Sequence, residues 1–212
     1  MEFDRDCSLC PRLAAHRNVL RIQFPDYHNA PVAAFGDDVP SLLIVGLAPG
    51  LHGANASGRP FTGDYAGILL YRSLYEAGLS SSPESRAPDD GLVLEGVRIT
   101  NAVKCLPPAN KPTTREADTC RQFLEREIAS LPASTVIFAL GAIAHRSVVK
   151  STGGRQSEYR FAHGAVHRLP GGRRLVDSYH CSRYNTQTGR LTSEMFAAAL
   201  ATARALALAS AS

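Results

Sequence analysis

Four short runs of aliphatic and β-branched residues, separated by segments of helical periodicity, constrain this chain more than any other feature. Ser41–Gly46 (SLLIVG), Val97–Val103 (VRITNAV), Thr135–Gly141 (TVIFALG) and Arg174–His180 (RLVDSYH) have strand length and end in turn signals. Between them, Ala66–Ala77 sets Leu69, Leu70, Ser73, Leu74 and Ala77 on one face. Thr113–Leu131 opens with a capping box, Thr113 with Glu116 three residues on, followed by Phe123, Leu124, Ile128 and Leu131 at helical spacing. Gly141 turns into a helix through Val149, and Ser193–Ala209 is an Ala/Leu-rich helix. Alternating strands and helices predict an α/β domain with a largely parallel sheet covered on both faces. At 212 residues one domain spanning 1–212 is expected, and 44% hydrophobic with 20% charged residues excludes wholesale disorder.

No apolar run approaches the ~18 residues of a membrane span. The N-terminal MEFDRDCSLCPR has acids and cysteines where a signal peptide needs a basic, then an apolar, stretch. A soluble, cytoplasmic monomer is the expectation, and its five cysteines then call for a role other than disulfides. The net charge of +4 is unevenly spread. Gly141–Arg190 holds nine basic residues and two acids, whereas Glu76–Glu95 holds five acids and one arginine. Such asymmetry suits one face meeting a polyanion, though solvated surface arginines produce the same count. Ser80–Gly91 and Ser151–Gly164 read as surface loops.

In parallel α/β sheets ligands bind beyond the carboxyl ends of the strands, and the unusual residues gather there. GLAPGLHGANASGRPFTGD (46–64) joins a strand to a helix with glycines at 46, 50, 53, 58 and 63. It is neither a Walker loop nor a dinucleotide fingerprint. Within it Phe61 can stack on a planar ligand or plug the core, and Asp64 can act chemically or simply cap the next helix. Asn101, in an apolar strand, can read a nucleobase edge or serve as a structural hydrogen-bonding group. His180 stands at a strand end, placed to donate to a developing anion or to hold structure. Arg183, Tyr184 and Asn185 follow as charge, ring and amide, a mixture suited to phosphates and bases. Cys181 beside His180 is discounted as a nucleophile, because adjacent residues on an extended chain face opposite ways.

Cys7, Cys10, Cys105 and Cys120 can supply four thiolates to a zinc ion or a [4Fe–4S] cluster. Structural zinc sites generally use two close pairs, and only Cys7-x2-Cys10 is close, which tilts the choice towards the cluster.

These motifs together resemble the type-5 (B-type) uracil-DNA glycosylases of bacteria and archaea. The resemblance rests on residues 46–64, ITNAVKCLPPANKPT (99–113), the four cysteines and HCSRYNTQTGRLT (180–192), in order over nearly the whole chain. It implies a three-layer α/β/α sandwich about a short parallel sheet. It also implies a DNA repair enzyme that flips out uracil, and other deaminated bases such as hypoxanthine, and hydrolyses the N-glycosidic bond. By matching motifs, Gly46, Leu47 and Ala48 would line the pocket, Phe61 would stack on the base, and Asn101 would bond its edge. His180 would stabilise charge on the departing base, and Ser182, Arg183, Tyr184 and Asn185 would enter the DNA. The four cysteines would bind a structural [4Fe–4S] cluster stapling the N-terminal segment to the 105–120 region. Relatives often carry an acid or amide directly after the first glycine. Here that stretch is apolar, as in the B-type, and Asp64 is the natural substitute. The usual His-Pro-Ser is His180-Cys181-Ser182 in this chain, which loses the proline's fixed φ. With no lysine-based signal, a monofunctional enzyme is expected. The competing readings are a non-catalytic, metal-stabilised nucleic-acid-binding module and a zinc-stabilised small-molecule hydrolase.

Overall fold

A computed structural model describes residues 4–211. In chain order the elements are α1 (Pro11–Gln23), β1 (Phe35–Gly36), β2 (Leu42–Gly46), α2 (Ala54–Ser57), α3 (Tyr65–Glu76), β3 (Val97–Asn101), α4 (Thr114–Ser130), β4 (Val136–Leu140), α5 (Ala142–Ser151), β5 (Val166–Arg168), β6 (Arg174–Ser178), α6 (Arg183–Gln187) and α7 (Ser193–Ala211), with three single 3-10 turns between them. The sheet order is β1-β3-β2-β4-β6-β5. Its four central strands are parallel, and the short edge strands β1 and β5 run antiparallel. The four strands expected from sequence are therefore the parallel centre of a mixed sheet.

The central strands read as continuous apolar runs because both faces are covered. One face carries Leu42, Ile44, Phe138 and Val176 against Leu70 and Leu74 of α3 and Phe196, Leu200 and Ala203 of α7. The other carries Leu43, Val45, Ile137, Ala139 and Leu175 against Leu124 and Ile128 of α4 and Ala144 and Val148 of α5. This is a three-layer α/β/α sandwich. The capping box of α4 forms as the sequence predicts: the Glu116 N–H donates to Thr113 Oγ1 at 3.2 Å, and the Thr113 N–H donates to Glu116 Oε2 at 2.7 Å. Glu116 also pairs with Arg12 at 2.7 Å, tying α1 to α4. Among the described residues no helix is long and apolar enough to cross a membrane.

Candidate active site

The β2–β3 register sets Gly46 opposite Asn101, and the pairing continues past the strand ends through Ala102 N–H to Gly46 O and Val103 N–H to Leu47 O, both 2.9 Å. A cavity of about 430 Å³ opens at this edge. Leu47, Ala48, Pro49 and Gly50 form one wall, with Phe61, Asp64, Asn101, His180, Ser182 and Arg183 completing it. Segments far apart in sequence thus meet beyond the carboxyl ends of β2, β3 and β6, as parallel sheets dictate.

Glycine is required where side chains crowd the backbone. A Cβ on Gly46 would stand 2.4 Å from Asn101 Oδ1 and 2.6 Å from Phe61 Cζ. On Gly50 and Gly53 it would stand 2.1 and 2.0 Å from Asp64 Oδ1. Asp64 occupies the N-cap position of α3 but makes no side-chain cap there. Its carboxylate turns back to the glycine loop and accepts the Ala54 N–H at 3.1 Å. Burial raises its pKa, opposed by hydrogen bonds from the Ala54 and Gly50 backbone. The capping role weighed from sequence is not the one this side chain plays.

Phe61 is 5% exposed and sits at φ +59°, a left-handed conformation that costs a side-chain-bearing residue about 1–2 kcal/mol. Its ring faces the His180 ring at 27°, with centroids 6.2 Å apart. Asn101 is 3% exposed, and its Oδ1 is buried without a hydrogen-bond partner, an acceptor left to the cavity. Such orphaned acceptors are rare in folded proteins, so this one points to a ligand with an N–H to offer. The His180 ring is partly covered by area but enclosed by the cavity walls, and desolvation pushes its pKa down to about 4. At neutral pH it is an uncharged imidazole.

The segment after His180 divides by role. Ser182 caps α6 by accepting the Asn185 N–H at 3.4 Å, and Asn185 Nδ2 donates to the His180 carbonyl at 2.8 Å. Both hold the loop that carries His180. Arg183 and Tyr184 face outwards, Tyr184 being 70% exposed. The Arg183 guanidinium lies 4.8 Å from the Tyr65 ring centroid, and Thr186 Oγ1 meets Tyr65 Oη at 3.3 Å, docking α6 on the start of α3. Cys181 is buried in the same apolar cluster as Val176 and Phe196, and burial, with the Asp64 charge adding to it, raises its thiol to about 12. The basic run is not one face: Arg173 bonds the carbonyls of Ile128, Leu131, Pro132 and Thr135, and Lys150 pairs with Asp118.

Two lining residues, Asn110 and Tyr65, were not singled out in the sequence reading. Asn110 follows Ala109, and both have positive φ, 55° and 54°. The tight Pro107–Pro112 stretch was the available signal.

Cys7, Cys10, Cys105 and Cys120 surround a second cavity of about 250 Å³, with Leu13, Lys104 and Phe123 among its walls. All four are unbridged. Burial, then the neighbouring Cys120 sulfur, raises Cys10 to about 11 and Cys105 to about 12. The Lys104 N–H donates to Cys120 Sγ at 3.3 Å, and Arg17 Nη1 stands 3.9 Å from Cys105 Sγ. Four unbridged cysteines around one cavity supply the thiolate set that a zinc ion or an iron–sulfur cluster takes.

The match to known proteins agrees with this geometry. Residues 33–204 match the family model described as the uracil DNA glycosylase superfamily. The type-5 uracil-DNA glycosylase of Thermus thermophilus is 50% identical over 206 residues, covering 95% of this chain and 94% of that protein. Similar proteins with the same description come from Mycobacterium leprae, at 44% identity over 89% of this chain and 86% of the relative, and Pyrobaculum aerophilum, at 40% over 94% and 88%. Proteins described as type-4 uracil-DNA glycosylases match less closely, one from Thermotoga maritima at 30% identity. The chain belongs to the uracil-DNA glycosylase superfamily, among its type-5 members.

Proposed function

We propose that this chain is a monofunctional glycosylase that excises uracil from DNA, and that its edge cavity receives the flipped base. One observation carries the reading: the buried, partnerless Asn101 Oδ1 shares a cavity with an aromatic ring, an uncharged histidine and a carboxylate. Uracil has an N–H between two carbonyls. Asn101 Oδ1 accepts that N–H, Phe61 stacks on the ring, and His180 donates an N–H to the carbonyl where charge develops. A neutral imidazole suits this task because it stabilises the anion by hydrogen bonding without needing to lose its own proton.

In the reaction the C1′–N bond breaks with its electron pair leaving on the base, and the sugar gains oxocarbenium character. Asp64 stabilises that cation and orients the attacking water. The water oxygen bonds C1′, its proton passes through Asp64 to solvent, and the departed base is protonated in turn. Flipping costs a few kcal/mol, least for a mispaired base, which favours uracil opposite guanine. Hypoxanthine offers the same N–H beside a carbonyl, and the reading extends to it. Arg183 and Tyr184, the outward residues of α6, enter the DNA beside the flipped nucleotide, while Ser182 and Asn185 hold the loop.

Cys7, Cys10, Cys105 and Cys120 hold a [4Fe–4S] cluster in this proposal. When bound, it cross-links α1, the segment after β3 and α4, and takes no part in bond cleavage.

The test uses anaerobically purified protein and a duplex with one uracil opposite guanine, with alkali revealing abasic sites. Strand breakage that vanishes in Asp64→Ala and His180→Ala supports the assignment. Absence of product from iron-loaded protein that still binds the duplex overturns it in favour of a binding module.

A further inference from the structure

Outside the base cavity, His145 of α5, His167 of β5 and Asp177 of β6 bring three ligand atoms within 4.8 Å of one another. His145 Nδ1 lies 2.8 Å from Asp177 Oδ1, and His167 Nε2 lies 3.0 Å from Asp177 Oδ2. Asp177 is fully buried in a central strand, His145 is 2% exposed, and the His167 side chain is 14% exposed. His145 Nε2 lies 2.9 Å from the Tyr159 carbonyl. Phe161 packs on the His145 ring at 5.6 Å between centroids.

We propose that these three side chains form a structural site for a divalent cation of the zinc class. A carbonyl oxygen only accepts, so His145 Nε2 carries a proton and donates it to Tyr159. That is the contact that orients a metal-bound histidine and leaves Nδ1 as the ligating lone pair. The Nδ1 lone pair then faces Asp177 Oδ1, and a cation between them gives both a partner. Two imidazoles and a carboxylate match the nitrogen and oxygen preference of zinc. Ligand atoms on a tetrahedral zinc sit about 3.4 Å apart, so the two contacts to Asp177, one at each oxygen, open by about half an ångström on binding. A water completes the shell.

The site joins a helix, an edge strand and a central strand. The edge strand β5 has only three residues and an exposed valine, so apolar packing contributes little to holding it. Through Tyr159 the site also fixes the segment between α5 and β5, and its Asp177 stands three residues before His180, which follows the end of β6.

The experiment measures zinc and iron in the full-length protein after expression with both metals, beside His167→Gln and His167→Ala. About one zinc per chain is expected in the parent and none in either variant, with iron unchanged in all three. After chelator treatment that leaves iron in place, zinc at about a hundredfold excess over its Kd raises the parent's Tm by about 5–10 °C and leaves the variants unmoved. Zinc retained equally by the variants would place it at the cysteines and overturn the proposal. Absence of zinc and of any shift, with ring 15N signals showing a doubly protonated His145, would overturn it in favour of a buried ion pair. These readouts need no DNA, so their failure leaves the glycosylase reading untouched.

Discussion

Replacing Gly46 by alanine tests the base pocket without removing any chemical group from it. Gly46 does not lie in the positive-φ region, so alanine meets no backbone penalty there, and contact alone decides the outcome. The new methyl would stand 2.4 Å from Asn101 Oδ1 and 2.6 Å from Phe61 Cζ, whereas ordinary contact begins at 3.4 Å. Each neighbour must move by about 1 Å, and a misplacement of that size costs about a hundredfold in rate. Overpacking costs about 1–3 kcal/mol, which for a chain of this length lowers the Tm by about 3–10 °C. The assay is single-turnover excision from a uracil–guanine duplex at saturating protein, with Tm measured in parallel. Gly78→Ala is the control. That glycine has φ +68° and nothing within 4 Å of an added Cβ, so strain lowers stability there without touching the cavity. Loss of rate in Gly46→Ala with full rate in Gly78→Ala is expected. A folded Gly46→Ala protein at parental rate would refute the assignment of Asn101 and Phe61 to the base.

Four further outcomes follow from the same geometry. With its pKa near 4, His180 stays neutral through the range where a free histidine titrates, so its NMR signal and the excision rate should show no step near pH 6.5. A titration there would contradict the buried, uncharged ring. Between about pH 6.5 and 4 the unfolded chain takes up a proton that folded His180 refuses, so stability falls as pH drops across that window, and His180→Gln should flatten the fall. Arg59 pairs with Asp90 at 2.6 Å and donates to Ser85 and Thr62, pinning the 80–91 loop. Arg59→Ala should cost about 3 kcal/mol and expose that loop to proteases, and unchanged urea unfolding would contradict it. Cys105→Ser should lose iron and visible absorption, and iron retained at parental stoichiometry would remove Cys105 from the proposed ligands.

What was legible in the sequence was whatever depends on local periodicity. The strands β2, β3, β4 and β6 and the helices α3, α4, α5 and α7 carry apolar residues at the period of their element, because the opposing layer demands it. Elements held by other means were not visible. Helix α1 buries Leu13, Arg17 and Leu20, so its inward stripe contains a charge and reads as no stripe at all. The edge strands β1 and β5 are two and three residues long and lack the alternation that marks a strand. At the cavity, residue types suggested Asp64, Asn101 and His180, but what each does depends on aim. Asp64 turning from its helix to the glycine loop, and Asn185 turning from solvent to the His180 carbonyl, are tertiary facts with no local signature.

Ala48 links the two cavities, which gives the cysteines a reason to be where they are. It lines the base cavity and packs against the cluster of Leu13, Val103 and Cys120, on which Cys10 and Cys105 also pack. The loop it belongs to is rich in glycine because Asn101, Phe61 and Asp64 crowd it, so side-chain packing cannot make it rigid. Rigidity must come from behind. It is supplied there by Lys104, whose ammonium is buried against Thr100 and Glu127, 3.0 Å from the latter, and whose N–H meets Cys120. Arg17 reaches the Cys7 carbonyl from α1 at 3.0 Å on the same side. A cross-link at the four sulfurs would therefore hold the wall against which the base is positioned. Losing it should lower the excision rate more than it lowers affinity for undamaged DNA, since the outward residues Arg183 and Tyr184 lie on α6, beyond its reach.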